Sequence, residues 1–541
     1  MLEGGKSLQR RRVIKILAAM GLSSAAGLYF LRRNATPEPE TTVIEPLQAS
    51  RLAISSALTA VNPLRIPELV EGELSPDGRL FSLNVQAGKT RFFEEFETAT
   101  LGINGSYLGP TLLMRTGEQI HIDVRNGIDE PTTMHWHGLH VPAKQDGGPH
   151  QVIPSDGHWR ASFVLDQKAS TCWYHSHLHH QTGQQIYRGL AGILIVENEE
   201  SRGLGLPARY GVDDFPLILQ DRRFTESGEL DYPTDVSTLM RGVRGDTLLI
   251  NGTVAPYLEV TTDKVRFRLI NAANARSFTI ARHDGASFHM IATDNSFLEQ
   301  ALTVNRVTLS PGERAEIVLD ISAGEEVYLV NLPVSPFPSM YNGQMNGMMR
   351  NLDQDAFDVL LLRAAATLEA MPALPETLTT INWLREEDAD ELRYFELGMG
   401  NGPGNGGGRE GRGASGRGNG GGNGGGFGGA VFKLNGNMMD MGVINFEVQE
   451  GAIEIWELRN VSPMIHPFHI HKVHFQILDR DGLPPPPEER GLKDTVRVHV
   501  AEVVRVIAHF DRFPDPETPY MYHCHILEHE DHGMMGQFVV V

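Results

Sequence analysis

Three stretches of this chain end alike: "DVRN" at Asn126, "RLIN" at Asn271 and "ELRN" at Asn460. Each closes a segment that alternates with a period of two: Ile120-His121-Ile122-Asp123-Val124, Val265-Arg266-Phe267-Arg268-Leu269 and Ile453-Glu454-Ile455-Trp456-Glu457-Leu458. That period is the signature of a β-strand, and one strand ending met three times implies three copies of one unit. Nine residues beyond the asparagines stand His135, Ile280 and His469, and eleven beyond stand His137, Arg282 and His471. The outer copies share a histidine pair that the middle copy lacks. They are therefore expected to share a site, with the middle unit structural at this location. Long amphipathic helical runs are scarce, so the expected class is all-β, built of sandwiches or barrels.

A chain of 541 residues suits three or four units of roughly 150 residues each. Boundaries are expected near 203, after "ILIVENEES", and near 370, around "LEAMPALPET", giving units 60–203, 204–369 and 370–541. The net charge of -21 excludes a nucleic-acid partner, because phosphate binding needs clustered Lys and Arg. Residues 398–429, "GMGNGPGNGGGREGRGASGRGNGGGNGGGFGG", hold almost nothing that can be buried, and are expected to be a disordered insertion in the last unit.

Before the first unit, residues 1–35 read as an export segment, a basic cluster followed by the apolar run Ile16 to Leu31. Arg10-Arg11-Arg12-Val13-Ile14-Lys15 resembles the twin-arginine signal that routes folded proteins across the bacterial inner membrane. The expected location is the periplasm, with the run retained as a membrane anchor if it is not cleaved. Cys172 and Cys524 are the sole cysteines, which excludes a disulfide scaffold.

Four histidine clusters carry the chemistry: "HWHG" with His135 and His137, "HSH" with His175 and His177, "HPFHIH" with His466, His469 and His471, and "HCHILEHEDHGMM" with His523, His525 and His529. On a strand, residues two apart share a face, so each H-x-H can deliver two imidazoles to one cavity. Four pairs supply eight rings, enough for several metal ions held close together between two units. The same alternation sends Cys524 away from His523 and His525 and toward a different metal. Two histidines, a thiolate and a weak thioether, here His466, His529, Cys524 and Met534, are the ligands of a blue copper centre. Zinc has no redox chemistry and no use for the methionine.

In order and spacing, "HWHGLHVP…QDGGPH", "CWYHSH", "HPFHIH" and "HCHILEHEDHGMM" resemble the signatures of the multicopper oxidases over essentially the whole chain after the export segment. The resemblance implies three consecutive cupredoxin-like Greek-key β-barrel domains and four copper ions. By that likeness the type 1 copper takes His466, Cys524, His529 and Met534, and the type 2 copper takes His135 and His469. The type 3 pair takes His137, His175 and His525 on one ion and His177, His471 and His523 on the other. All twelve positions carry a usable donor, unlike the copper-free scaffold members of the family. The implied reaction takes electrons singly from a reductant at the blue copper, passes them through the backbone from Cys524 to its histidine neighbours, and reduces O2 to water. Asp146 and Glu530, each inside a ligand motif, are the implied proton carriers. The remaining histidines, among them His121, His179, His283 and His499, are read as surface residues, core residues or residues that support the ligands from behind.

Methionines cluster outside these motifs, in "SMYNGQMNGMMRN" with Met340, Met345, Met348 and Met349, and in "NMMDM" with Met438, Met439 and Met441. The first cluster has few apolar neighbours, which weakens a reading as core filler, and soft thioethers select Cu(I). This is similar to the bacterial copper-efflux oxidases, which oxidise cuprous ion. Those enzymes place an acid and a methionine four and two residues before the first blue-copper histidine, where this chain has Ser462 and Met464. Cuprous oxidation in copper tolerance is the first expectation and oxidation of phenols or aromatic amines, as in laccases, the second. A periplasmic copper-storage protein is the third, disfavoured because storage needs no proton carriers. The expected partners are O2, a small reductant and the twin-arginine machinery, and the expected state is a monomer.

Overall fold

In a computed structural model that describes residues 60–334, 352–401 and 430–541, the three alternating segments are the strands Gln119–Asn126, Lys264–Asn271 and Ile453–Asn460. Each is flanked in the same way. A parallel partner lies on one side, Gly78–Phe93, Asp214–Arg222 or Glu391–Asn401, and an antiparallel partner on the other, His158–Val164, Arg314–Asp320 or Val503–His509. Every unit adds a second sheet, and apolar residues of the two sheets form three large cores, centred on Phe81 and Ile122, on Phe267 and Ile317, and on Trp456 and Phe538. The chain is therefore all-β and threefold, as its periodicity predicts.

The asparagine repeat has a physical cause. Asn126, Asn271 and Asn460 are fully buried, and each side chain donates twice through Nδ2: to Glu130 O and Ile153 O, to Arg276 O and Leu309 O, and to Met464 O and Val498 O. Each Oδ1 accepts the backbone N–H two residues on, at Ile128, Ala273 and Ser462. One amide thus pins the loop leaving a strand to the facing sheet, satisfying backbone groups that burial would otherwise orphan.

Beyond that loop, strand register sets the histidines side by side. In the first unit His135–His137 pairs antiparallel with Ser170–His175, His135 opposite His175. In the last, His466–Ile470 pairs with Asp515–Cys524, His469 opposite His523 and Phe468 opposite Cys524. The equivalent middle strand, Phe278–Arg282, buries Ile280 in the core and ties Arg282 to Asp284 and Glu325.

Two expected limits shift. Asn62–Pro63 pairs in parallel with Pro256–Tyr257, so the leading residues of the expected 60–203 unit lie on the middle unit's sheet. Gly398–Asn401, expected to be disordered, completes the strand Glu391–Asn401 and pairs with Ala430–Lys433; ladder hydrogen bonds outweigh the glycine bias there, and the rest of the run lies outside the described residues. Segment 1–35 and Met340, Met345, Met348 and Met349 also lie outside them. Both cysteines are buried and unpaired with each other. No helix among the described residues is long and apolar enough to cross a membrane.

Replacing Asn271 by alanine orphans two buried carbonyls and an N–H, at about 1–3 kcal/mol per group. The variant is expected to unfold several degrees below the parent in scanning calorimetry, and an unchanged transition contradicts the pinning role.

Candidate metal centre

Eight imidazoles from the first and last units meet in one buried nest. His177 Nε2 lies 3.2 Å from both His471 Nε2 and His523 Nε2, and the latter two are 3.3 Å apart. Their other nitrogens turn outward: His471 Nδ1 to Asp146 Oδ2 at 2.7 Å, His523 Nδ1 to Cys524 O at 3.1 Å, and His177 Nδ1 within 3.2 Å of Glu530. At His471 and His523 an acceptor at Nδ1 holds the ring proton there and leaves the Nε2 lone pair facing inward. His135 and His469 follow the same rule. Their Nδ1 atoms donate to Asp146 O and Asp494 O, both at 2.9 Å, and each Nε2 is buried without a partner.

His137 is turned around. Its Nε2 meets Asp494 Oδ1 at 2.9 Å, so Nδ1 faces inward, 3.4 Å from His175 Nε2. Both nitrogens of His525 lack a hydrogen bond, and its ring centre lies 5.0 Å from that of His137 and 5.6 Å from that of His175. His135 stacks on His471 and His137 on His469, with ring centres 4.0 and 3.8 Å apart, so rings of the two units interleave. Desolvation pushes His137, His175, His177, His471 and His525 well below the usual imidazole range, and His469 to about 4. Neutral rings with converging lone pairs repel one another unless a cation sits between them. The donor set fits borderline metal ions such as copper.

The second set lies on the other face of the same strand. Cys524 Sγ is 3.3 Å from His466 Nδ1 and 3.7 Å from His529 Nδ1, all three fully buried. Met534 is buried beside them, its carbonyl accepting the Cys524 N–H and its N–H donating to His529 O. Desolvation pushes the Cys524 thiol well up and holds His466 at about 3, so a thiolate here requires a cation partner. Ser462, standing where an acid was sought, places its hydroxyl 2.6 Å from His466 Nε2, while His529 Nε2 donates to Met240 O at 3.2 Å and its ring stacks on Phe432. Met464 lines a cleft beside His466 together with Arg244, Asp353, Ile465, Pro467 and Val334.

Both expected carboxylates adjoin the nest. Burial works to raise the Asp146 carboxyl, but His135 and His471 outweigh it and hold it below the usual range; its Oδ1 is buried and unpartnered. Glu530 lies 3.2 Å from His177 Nδ1 and His523 Nδ1, at angles short of a hydrogen bond. None of the histidines read as surface or core joins a three-donor group among the described residues. Sequence reasoning missed Asp494, which contacts both His137 and His469; "LKDTV" carries no ligand-like neighbour, and only the pairing of Thr495 with His469 brings it in.

Comparison with known proteins gives a consistent picture. Family models described as multicopper oxidase match residues 84–201, 221–351 and 420–541. The multicopper oxidase mco of Staphylococcus haemolyticus is 33% identical over 486 residues, covering 88% of this chain and 92% of the relative. The cell division protein FtsP of Escherichia coli is 32% identical, covering 91% and 97%. Among solved structures, the laccase-like multi-copper oxidase CueO from a lignin-degrading Ochrobactrum species superposes with a TM-score of 0.75 at 35% identity, covering 88% of this chain and 100% of that one. With family matches in all three units and relatives a third identical over about nine-tenths of its length, this chain belongs to the multicopper oxidases, copper-binding oxidoreductases that use O2.

Proposed function

We propose that the chain binds four copper ions and oxidises Cu(I) to Cu(II), coupling four such oxidations to reduction of O2 to two waters. The observation that carries this is the joining of two buried donor sets by one tripeptide, His523-Cys524-His525, whose side chains alternate between them. His466, Cys524, His529 and Met534 would hold the type 1 ion. His135 and His469 would hold the type 2 ion, and His137, His175, His525, His177, His471 and His523 the type 3 pair. Bound copper supplies one-electron redox chemistry and O2 binding; the protein supplies the rest.

The backbone from Cys524 to His523 and His525 is the covalent link between the sets. Full burial of all eight rings and of Cys524 keeps bulk water away from them. Asp146 Oδ1 and the Glu530 oxygens are hydrogen-bond acceptors without partners, placed to exchange protons with water at the nest. A storage protein has no use for such groups.

Cu(I) is favoured as reductant by the cleft beside His466. Met464 lines it, and so do Val334 and Leu352, the described residues on either side of the stretch with Met340, Met345, Met348 and Met349. A second reading, oxidation of phenols, is supported by the apolar Ala275, Ile465 and Pro467 in the same cleft and by the Ochrobactrum relative, described as having oxidase activity towards lignin model compounds. Export by a twin-arginine signal into the periplasm belongs to this proposal.

Oxygen uptake by copper-loaded protein separates the two. Changing Met345, Met348 and Met349 to serine is expected to lower kcat/KM for Cu(I) about tenfold or more, roughly 1.4 kcal/mol, with phenol turnover unchanged; an unaltered Cu(I) rate refutes the cuprous reading. Asp146→Asn is expected to cost about 100-fold in oxygen reduction with the copper content retained. Cys524→Ser is expected to abolish the blue thiolate-to-copper band and reduce bound copper by one ion per chain.

A further inference from the structure

Although the middle unit contributes to none of the three-donor groups, one of its side chains reaches the imidazole nest. Arg314 opens the strand Arg314–Asp320 and its side chain has no exposed surface. Its Nη1 and Nη2 donate to Asp494 Oδ1 and Oδ2, both at 2.6 Å. The remaining donors are taken up by Thr171 O, Gly312 O, Asp294 O and Asn295 Oδ1 at 3.0–3.1 Å. A bidentate fork of this kind fixes both atoms and plane of a carboxylate.

The carboxylate so fixed faces the ligands of both outer units. Asp494 Oδ1 also receives His137 Nε2 at 2.9 Å and Thr495 Oγ1 at 2.8 Å, Oδ2 receives Asn295 Nδ2 at 2.8 Å, and the Asp494 carbonyl receives His469 Nδ1 at 2.9 Å. His137 is the ring whose Nδ1 points inward, and Asp494 is what turns it. Cohesion between the middle and last units does not account for this arrangement, because Lys493 already ties them through Asp294 and Glu313 at 2.9 and 3.2 Å. Nor is the guanidinium loosely placed. Gly138 of "HWHG", at φ +94°, passes so close that a Cβ would stand 2.6 Å from Arg314 Nη2. The glycine after the first histidine pair makes room for an arginine of another unit.

We propose that Arg314 is a positioning residue of the trinuclear copper site: by locking Asp494, it fixes which nitrogen of His137 faces a type 3 ion and, through the Asp494 carbonyl that receives His469 Nδ1, holds His469 toward the type 2 ion, and so governs retention of the type 2 copper from the middle unit. This rests on the four-copper reading above. Loss of an outer partner of a metal-ligating histidine typically costs about 10–100-fold in metal affinity.

The test compares copper-loaded parent, Arg314→Met, Arg314→Lys and Asp494→Asn by copper content, blue absorbance and the type 2 signal in electron paramagnetic resonance. Arg314→Met is expected to keep the blue band while the type 2 ion dissociates about 10–100-fold more readily, and Arg314→Lys, which restores one of two contacts, to fall between. Asp494→Asn, close to isosteric, is expected to show the same selective loss and decides the matter if Arg314→Met does not fold. Wild-type copper content and type 2 signal in these variants, or equal loss of blue and type 2 signals, overturns the proposal. A parent that takes up no copper overturns the reading beneath it instead.

Discussion

Eight neutral imidazoles whose lone pairs converge in a space without water cannot be held together by their own interactions. The three Nε2 atoms of His177, His471 and His523 stand 3.2–3.3 Å apart, and the acceptors at Nδ1 of His471 and His523 keep those two ring protons on the far side. What keeps six of the rings in place is their outward side: Asp146, Asp494 and backbone carbonyls take the ring protons of His135, His137, His175, His469, His471 and His523 and leave one direction for the lone pairs. The fold therefore supplies the orientation and leaves the missing attraction to a cation.

The β architecture makes that orientation possible at low cost. Paired strands bring His135 opposite His175 and His469 opposite His523, so two rings from adjacent strands arrive together with each ladder. The period of two also separates the centres: one face of the strand ending at Cys524 points to the nest, the other to His466 and His529. The two donor sets are thus neighbours by covalent necessity. The middle unit, with Ile280 and Arg282 in the equivalent positions, spends the same strand on core packing and ion pairing. It acts instead at a distance through Arg314 and through Asn274, whose side chain holds Glu528 in the helix Leu527–Asp531 beside His529.

Much of this was legible in the sequence because it is local. Alternation marked the strands, the recurrent asparagine marked the threefold repeat, and H-x-H spacing marked rings that share a face. Contacts across the chain were not legible. Asp494 meets His137 over 357 positions and Arg314 over 180, and no motif surrounds either of them. Ser462 was noticed only as a missing acid, whereas its hydroxyl caps His466 Nε2. The start of the glycine-rich insertion was misplaced at 398 because composition reports what a segment cannot bury and is silent on backbone pairing, which Gly398 and Gly400 supply.

The most direct measurement of the central claim is an anomalous-difference map at the copper edge from crystals of the copper-loaded protein. Three peaks inside the ring nest and a fourth against the sulfur of Cys524 are predicted. A map empty at the nest, with these rings turned to hydrogen-bond one another or water, would contradict the account.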